Sequence, residues 1–247
     1  MRVLGVIPAR LASTRLPNKP LQLLAGEPLI TRVIQRVVEH GVLQDLVVAT
    51  DSQMIARVVE RTGTRWILTH DGHLSGTDRV AEVAERPEFG GFDAVANVQG
   101  DEPFVSREAL VGAIERVGAG DDVGTAACPL AAGDAADPAR VKVVTDQRGR
   151  ALYFSRAAIP ARRDTAEPPD DLYWQHVGLY VYTRAALARW VGTPPSPAEL
   201  AERLEQLRAL HCGLTIGVAR LTEPALPGVD TPDDLRRAEA HWHALQG

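Results

Sequence analysis

The 247-residue chain carries 27 Lys+Arg against 32 Asp+Glu, a net charge of −5, with 45% hydrophobic and 24% charged residues. This is ordinary globular composition, enough for one domain with a substantial core and at most a subsidiary lobe. The acidic balance, with basic residues interspersed throughout, argues against a nucleic-acid partner, and no apolar run approaches the length of a bilayer span.

In chain order, Val3 to Ile7 is a short apolar run, the pattern of a strand buried on both faces. Pro8 stops it, and a loop follows with Arg10, Ser13, Thr14, Arg15 and Lys19, stiffened by Pro17 and Pro20. Only Lys19 and Lys142 among the 27 basic residues are lysine, which suggests that Lys19 supplies a compact point charge rather than a planar fork. Cations and hydroxyls at the carboxyl end of a first strand suit a polyphosphate, because ligands of open α/β sheets bind in that crevice. Arg2 and Arg10 interrupt the N-terminal apolar stretch, so no signal peptide and a cytoplasmic location are expected.

The spacing of Ile30, Val33, Ile34, Val37 and Val38 predicts an amphipathic helix over 29–39, stopped by Gly41. A strand over 46–49 follows, then a helix capped by Asp51 that carries Ile55, Val58 and Val59 and ends at Gly63. Strands are expected at 66–68 and 94–98, with helices over 78–86 and 106–117. This alternation predicts a parallel sheet with helices on both faces. After about residue 118 strands dominate, at 124–128, 141–145, 151–154 and 177–182, with a Pro/Asp-rich loop at 164–171. Helices return at 185–190, 198–210 and 233–245. Cys128 and Cys212 are too few for a disulfide framework or a zinc cluster. No Walker A sequence is present, and Gly118-Ala-Gly120 fails as a dinucleotide fingerprint because position 123 is valine.

Several clusters have both a structural and a chemical reading. Asp101, in Asn97-Val-Gln-Gly-Asp-Glu-Pro, follows a strand directly and is a natural magnesium ligand, although Gly-Asp is also common turn chemistry. His73-Leu-Ser-Gly-Thr-Asp-Arg79 reads as a helix start with Thr77 as cap, and its backbone is also placed to read a pyrimidine edge. His70 and His73 have ligand-like spacing but no evident third partner. Arg156, at a strand end, is a candidate for a bidentate grip on a carboxylate. His176 and Tyr180 share strand parity, and their ordinary role is a half-buried face packed on a helix. Glu205-Gln206-Leu-Arg208 reads as a solvated helix face. Thr231 with Pro232 is good helix-start chemistry, which leaves Asp230 outside the cap and unexplained by it.

The blocks Pro8-Ala-Arg-Leu-Ala-Ser-Thr-Arg-Leu-Pro-Asn-Lys-Pro20, Ser75-Gly-Thr-Asp-Arg79 and Gln99-Gly-Asp-Glu-Pro103 together resemble the 3-deoxy-manno-octulosonate (Kdo) cytidylyltransferase family. The resemblance runs from Ile7 to Leu235, with Ala139 departing from a frequent asparagine. It implies an α/β fold: a Rossmann-like, mostly parallel mixed sheet flanked by helices, of the nucleotidyltransferase type, with a smaller sugar-binding and dimerisation lobe. The expected organisation is a single domain, with 1–123 mainly nucleotide-binding and 124–247 mainly sugar-binding and dimer-forming. It implies CTP and the acidic sugar Kdo as substrates, a homodimer, and Mg2+ held by Asp101 and Asp230. Arg10, Lys19 and Asp101 would be catalytic, and Ala9, Arg10, Arg15, Lys19, Ser75, Gly76, Arg79 and Gln99 nucleotide-binding. Arg156, His176, Tyr180, Glu205 and Gln206 would bind the sugar. Alternatives are a CMP-sialic acid synthetase, an enzyme for an amino-substituted Kdo, or a silent nucleotide-binding regulator.

Overall fold

The computed structural model describes residues 1–163, 169 and 171–246 of the chain, so the loop expected over 164–171 lies largely outside the described residues. The backbone forms two compact units, one of Met1–Arg107 with Leu226–Gly247 and one of Glu108–Ala225. Leu226–Gly247 thus groups with Met1–Arg107 rather than with the residues that precede it.

The first unit contains β1 (Val3–Ala9), the two-residue strands β2 (Leu23–Leu24) and β3 (Glu27–Pro28), and α1 (Leu29–His40). It continues with β4 (Asp45–Thr50), α2 (Gln53–Glu60), β5 (Arg65–Leu68), α3 (Gly76–Ala84) and β6 (Ala94–Asn97). Four of its strands run parallel in the order β6-β1-β4-β5, while β2 and β3 form a separate antiparallel pair. Leu4, Val6, Ile7, Val47, Val48 and Val95 are fully buried, as expected where helices flank a parallel sheet and strands lose their polar alternation. Gly41 ends α1 in the left-handed conformation at φ 64°, where a side chain would be strained. Ser52, not Asp51, caps α2 by accepting from the Met54 amide at 3.2 Å; Asp51 instead pairs with Arg79. Ser75, not Thr77, caps α3, because a reciprocal capping box with Asp78 starts the helix earlier than expected.

The second unit contains α4 (Arg107–Gly118), which begins on the last residue of the first unit, then β7 (Val123–Pro129), β8 (Lys142–Thr145), β9 (Ala151–Ser155) and β10 (Trp174–Thr183). It closes with α5 (Arg184–Val191), α6 (Pro197–Glu202), α7 (Gln206–His211) and β11 (Ile216–Arg220). β7 pairs antiparallel with β10 and parallel with β11, and β8 pairs antiparallel with β9. The single helix expected over 198–210 is broken into α6 and α7 at Arg203, whose φ is 53°. Across that break Arg208 and Glu199 form a buried, bidentate pair, with Nε to Oε2 at 2.9 Å.

The last helix, α8 (Pro232–Gln246), returns to the first unit. Thr231 caps it as expected: its Oγ1 accepts from the Asp234 amide at 3.2 Å while Asp234 accepts from the Thr231 amide at 2.8 Å. Leu16, Leu24, Leu29, Val229 and Ala238 bury together against Phe104, Leu235 and Trp242. This cluster joins the loop after β1 to the segment entering α8, stretches more than 200 positions apart in sequence. No helix among the described residues is long and apolar enough to cross a membrane.

Candidate active site

The chain ends of β1 and β6, the start of α3 and the entry to α8 enclose a cavity of about 420 Å³. Ala9, Arg10, Arg15 and Lys19 line it from the loop after β1; Ser75, Gly76 and Arg79 line it from α3 and its cap. Gln99 and Asp101 line it from the turn after β6, and Asp230 from the residue before Thr231. Every residue assigned above to the nucleotide or the metal therefore borders one space. Gly100 makes the turn possible, since a Cβ there would sit 2.8 Å from the Pro8 carbonyl oxygen. Gly228 does the same for the α8 entry, where a Cβ would meet the Asp101 carbonyl at 3.2 Å and the Glu102 carboxyl at 3.0 Å.

Asp230 is held in place by its backbone. The Val229 amide donates to the Asp101 carbonyl at 2.8 Å, and the Asp230 amide donates to Asp234 at 3.2 Å. Its two carboxylate oxygens take different cations: Oδ1 accepts from Lys19 Nζ at 2.9 Å, and Oδ2 from Arg15 Nη2 at 2.9 Å. Lys19 also donates to Asp101 Oδ2, so one ammonium bridges the two aspartates. Burial alone would lower the lysine pKa, but the two carboxylates outweigh it and hold the ammonium above its ordinary range. The Arg15 side chain, 65% exposed, contributes far less by the same pairing.

Glu102 lies behind this pair. Burial first, then the neighbouring Asp101 and Asp230, push its carboxyl up to about 8, so at neutral pH it adds no third negative charge. Its place beside Asp101 in the same motif was a signal that the sequence reading did not use. His73 also borders the cavity, and its Nε2 pairs with Glu82 at 2.6 Å. Among the described residues no group of three or more His, Cys, Asp and Glu is arranged to hold a metal.

The remaining lining residues are also held by bonds within the fold. Arg79 is almost fully buried and donates to Asp51 at 2.7 Å and to Thr69, so most of its guanidinium is committed to the fold. Ser75 Oγ accepts from the Asp78 amide at 3.1 Å. Gln99 Nε2 donates to Asn97 Oδ1 at 3.3 Å. Gly76 opens the nine-residue α3 on the cavity wall, and a helix N-terminus there favours negative charge.

A cytidylyltransferase family model matches residues 4–216. The 3-deoxy-manno-octulosonate cytidylyltransferase of Gemmatimonas aurantiaca is 55% identical, over 99% of this chain and 96% of its own. The chain belongs to the 3-deoxy-manno-octulosonate cytidylyltransferase family. The relative of that name from Yersinia enterocolitica is 43% identical over 97% of this chain and 98% of its own. A solved CMP:2-keto-3-deoxy-manno-octonic acid synthetase complexed with CTP superposes with a TM-score of 0.92 at 36% identity, covering 99% of this chain and 100% of that one. The fold class expected from the sequence is that of this family.

The residues expected to bind the sugar lie in the second unit, and the structure gives each a local setting. Arg156 donates from Nε to the Glu202 carbonyl at 2.7 Å, from Nη1 to the Pro138 carbonyl at 2.9 Å and from Nη2 to the Arg203 carbonyl at 3.4 Å. These bonds fix the guanidinium and leave it fewer donors for a bidentate grip. Glu202 completes the arrangement by accepting from the Ser155 hydroxyl and from the Arg156 amide, at 2.7 and 2.9 Å. His176 and Tyr180 do share a face, with ring centroids 5.4 Å apart. Burial pushes the His176 imidazole down to about 3, and its Nε2 lies 3.0 Å from Thr125 Oγ1. Tyr180 is buried against Tyr182 and Trp190. Glu205 precedes α7 as its cap position, and Gln206 is buried rather than part of a solvated face.

Proposed function

We propose that the protein transfers CMP from CTP to the anomeric hydroxyl of Kdo, with pyrophosphate leaving. The observation that carries this reading is that Arg10, Arg15, Lys19, Gln99, Asp101 and Asp230 border one and the same cavity in a chain of this family. Displacement at the α-phosphorus asks the protein mainly to position groups and neutralise charge. Arg10, Arg15 and Lys19 supply donors to the triphosphate and to the departing pyrophosphate, and Ser75, Gly76 and Gln99 supply polar edges for the cytosine and ribose. His73, engaged with Glu82, is not placed to serve as a free base.

The donor set fits magnesium. Asp101 and Asp230 already share one cation, the Lys19 ammonium, and magnesium is commonly held by one or two carboxylates together with substrate phosphates. Bound there, the ion would polarise the α-phosphate and acidify the attacking hydroxyl. The reading includes a cytoplasmic homodimer; the family resemblance supports the dimer, and the free Cys128 and Cys212 support a reducing compartment.

Pyrophosphate release with each nucleoside triphosphate against a panel of acidic sugars tests the reading. Turnover is expected with CTP and Kdo and with magnesium, and to cease in EDTA. Comparable turnover with UTP would remove the cytosine assignment, and a preference for a sialic acid would remove Kdo.

A further inference from the structure

We propose that the Lys19 ammonium occupies the position a divalent cation must take between Asp101 and Asp230, so that the ion and the polyphosphate enter the pocket together. This rests on the magnesium reading above and goes beyond it, because it assigns Lys19 a role in the order of binding.

The two carboxylates are built into the backbone, whereas the cation between them is not. Asp230 is fixed by the Val229 and Asp230 amide bonds and by burial of Val229 in the apolar cluster. Lys19 begins a short 3-10 turn, Lys19–Leu21, entered through Asn18 at φ 53°. Its backbone is thus set, but its ammonium rides on a flexible four-carbon stem that can turn to another anion when one is offered. Its side chain is 17% exposed and bonded to both aspartates, so the ammonium blocks the space between their oxygens.

Charge counting sets the consequence. Lys19 is paired with both Asp101 and Asp230, and Arg15 with Asp230. A divalent ion arriving alone would add two charges beside those two cations, and the lysine would have no anion to move to. A triphosphate supplies that anion: the ammonium turns to the phosphates and exposes both carboxylates to the ion. The two ligands therefore help each other, and by reciprocity each raises the affinity of the other by the same factor.

The test uses Mn2+ as the probe, since carboxylate and water ligands suit manganese and magnesium alike. Free Mn2+ is measured by electron paramagnetic resonance with the full chain and no nucleotide, for wild type, Lys19→Met and Lys19→Gln. Both neutral variants are expected to bind Mn2+ about tenfold or more tighter than wild type, within the usual range of coupling between sites. The gain should vanish in Lys19→Met/Asp101→Asn. Equal or weaker Mn2+ binding by folded variants, judged by their thermal midpoints, would overturn the proposal. Equilibrium dialysis of CTP against wild type, with magnesium or with EDTA, separates the two claims. No magnesium effect sinks the magnesium reading itself; a magnesium effect with no gain in the lysine variants sinks only the role of Lys19.

Discussion

Lys142, the other lysine, gives the sharpest prediction about stability. It has no exposed surface, and its ammonium donates to the carbonyls of Asp137 at 2.9 Å, Arg156 at 2.7 Å and Arg140. The side chain thereby ties the start of β8 to the 137–140 loop and to the end of β9, where Arg156 sits. Lys142→Met keeps the length of the stem and removes every donor. The Asp137 carbonyl retains the Arg140 amide at 3.2 Å, while those of Arg140 and Arg156 are left facing a thioether. An unsatisfied buried acceptor costs about 1–3 kcal/mol, so the gross loss is about 2–6 kcal/mol. Removing a cation that burial already disfavours, as its lowered pKa indicates, returns part of this. A net loss of about 3 kcal/mol corresponds to a fall in Tm of about 6–12 °C for a chain of this size. Thermal and urea unfolding followed by circular dichroism would measure it, and a Tm within about 2 °C of wild type would refute the cage.

Three further outcomes are expected. Because the folded His176 pKa, about 3, lies below its ordinary 6.5, the unfolded chain binds that proton first; stability is full above pH 6.5 and falls as the pH drops towards 3. The limiting slope is about 1.4 kcal/mol per pH unit, so His176→Asn should lose roughly 2 kcal/mol of the acid sensitivity between pH 6.5 and 5, and an equal fall of unfolding free energy with pH in the two proteins would contradict it. Asp101→Asn and Asp230→Asn should each lower kcat sharply in the pyrophosphate-release assay, and the double variant should lose little beyond the worse single one; additive losses would mean separate ions. Arg156→Ala should raise the KM for Kdo more than that for CTP and also lower Tm, because its guanidinium holds carbonyls of the 138 and 202–203 segments. An unchanged Tm would show that those bonds contribute nothing.

The sequence was most readable where local chemistry and tertiary need coincide. The apolar Val3–Ile7 run, the Ile30, Val33, Ile34 and Val37 stripe of α1 with Gly41 behind it and the Thr231-Pro232 helix start all recur in the structure, whereas Val38, expected on that stripe, is exposed. The cavity residues were legible for another reason: charge and glycine concentrate at strand ends, where a ligand crevice lies. What the pattern concealed was set by distant partners. Asp51 and Ser52 are equally good caps locally, and Arg79 decides between them by taking Asp51. Nothing in Ala198 to Leu210 marks a break, yet Arg203 turns left-handed where its carbonyl accepts from Arg156 and where Glu199 reaches Arg208. The strand β11 was missed because Ile-Gly-Val-Ala, short and with a glycine inside, is a weak strand former until β7 pairs with it. Gln206 looked solvated because burial of a polar helix residue leaves no trace in its own segment.

The central claim, transfer of a cytidylyl group, is tested most directly by following labelled phosphate. CTP labelled at the α-phosphorus and CTP labelled at the γ-phosphorus are each incubated with the protein, magnesium and Kdo, and the sugar product is separated from pyrophosphate. The α label is expected in the sugar product and the γ label in pyrophosphate. A γ label on the sugar, or an α label that never leaves the nucleotide pool while pyrophosphate accumulates, would contradict it.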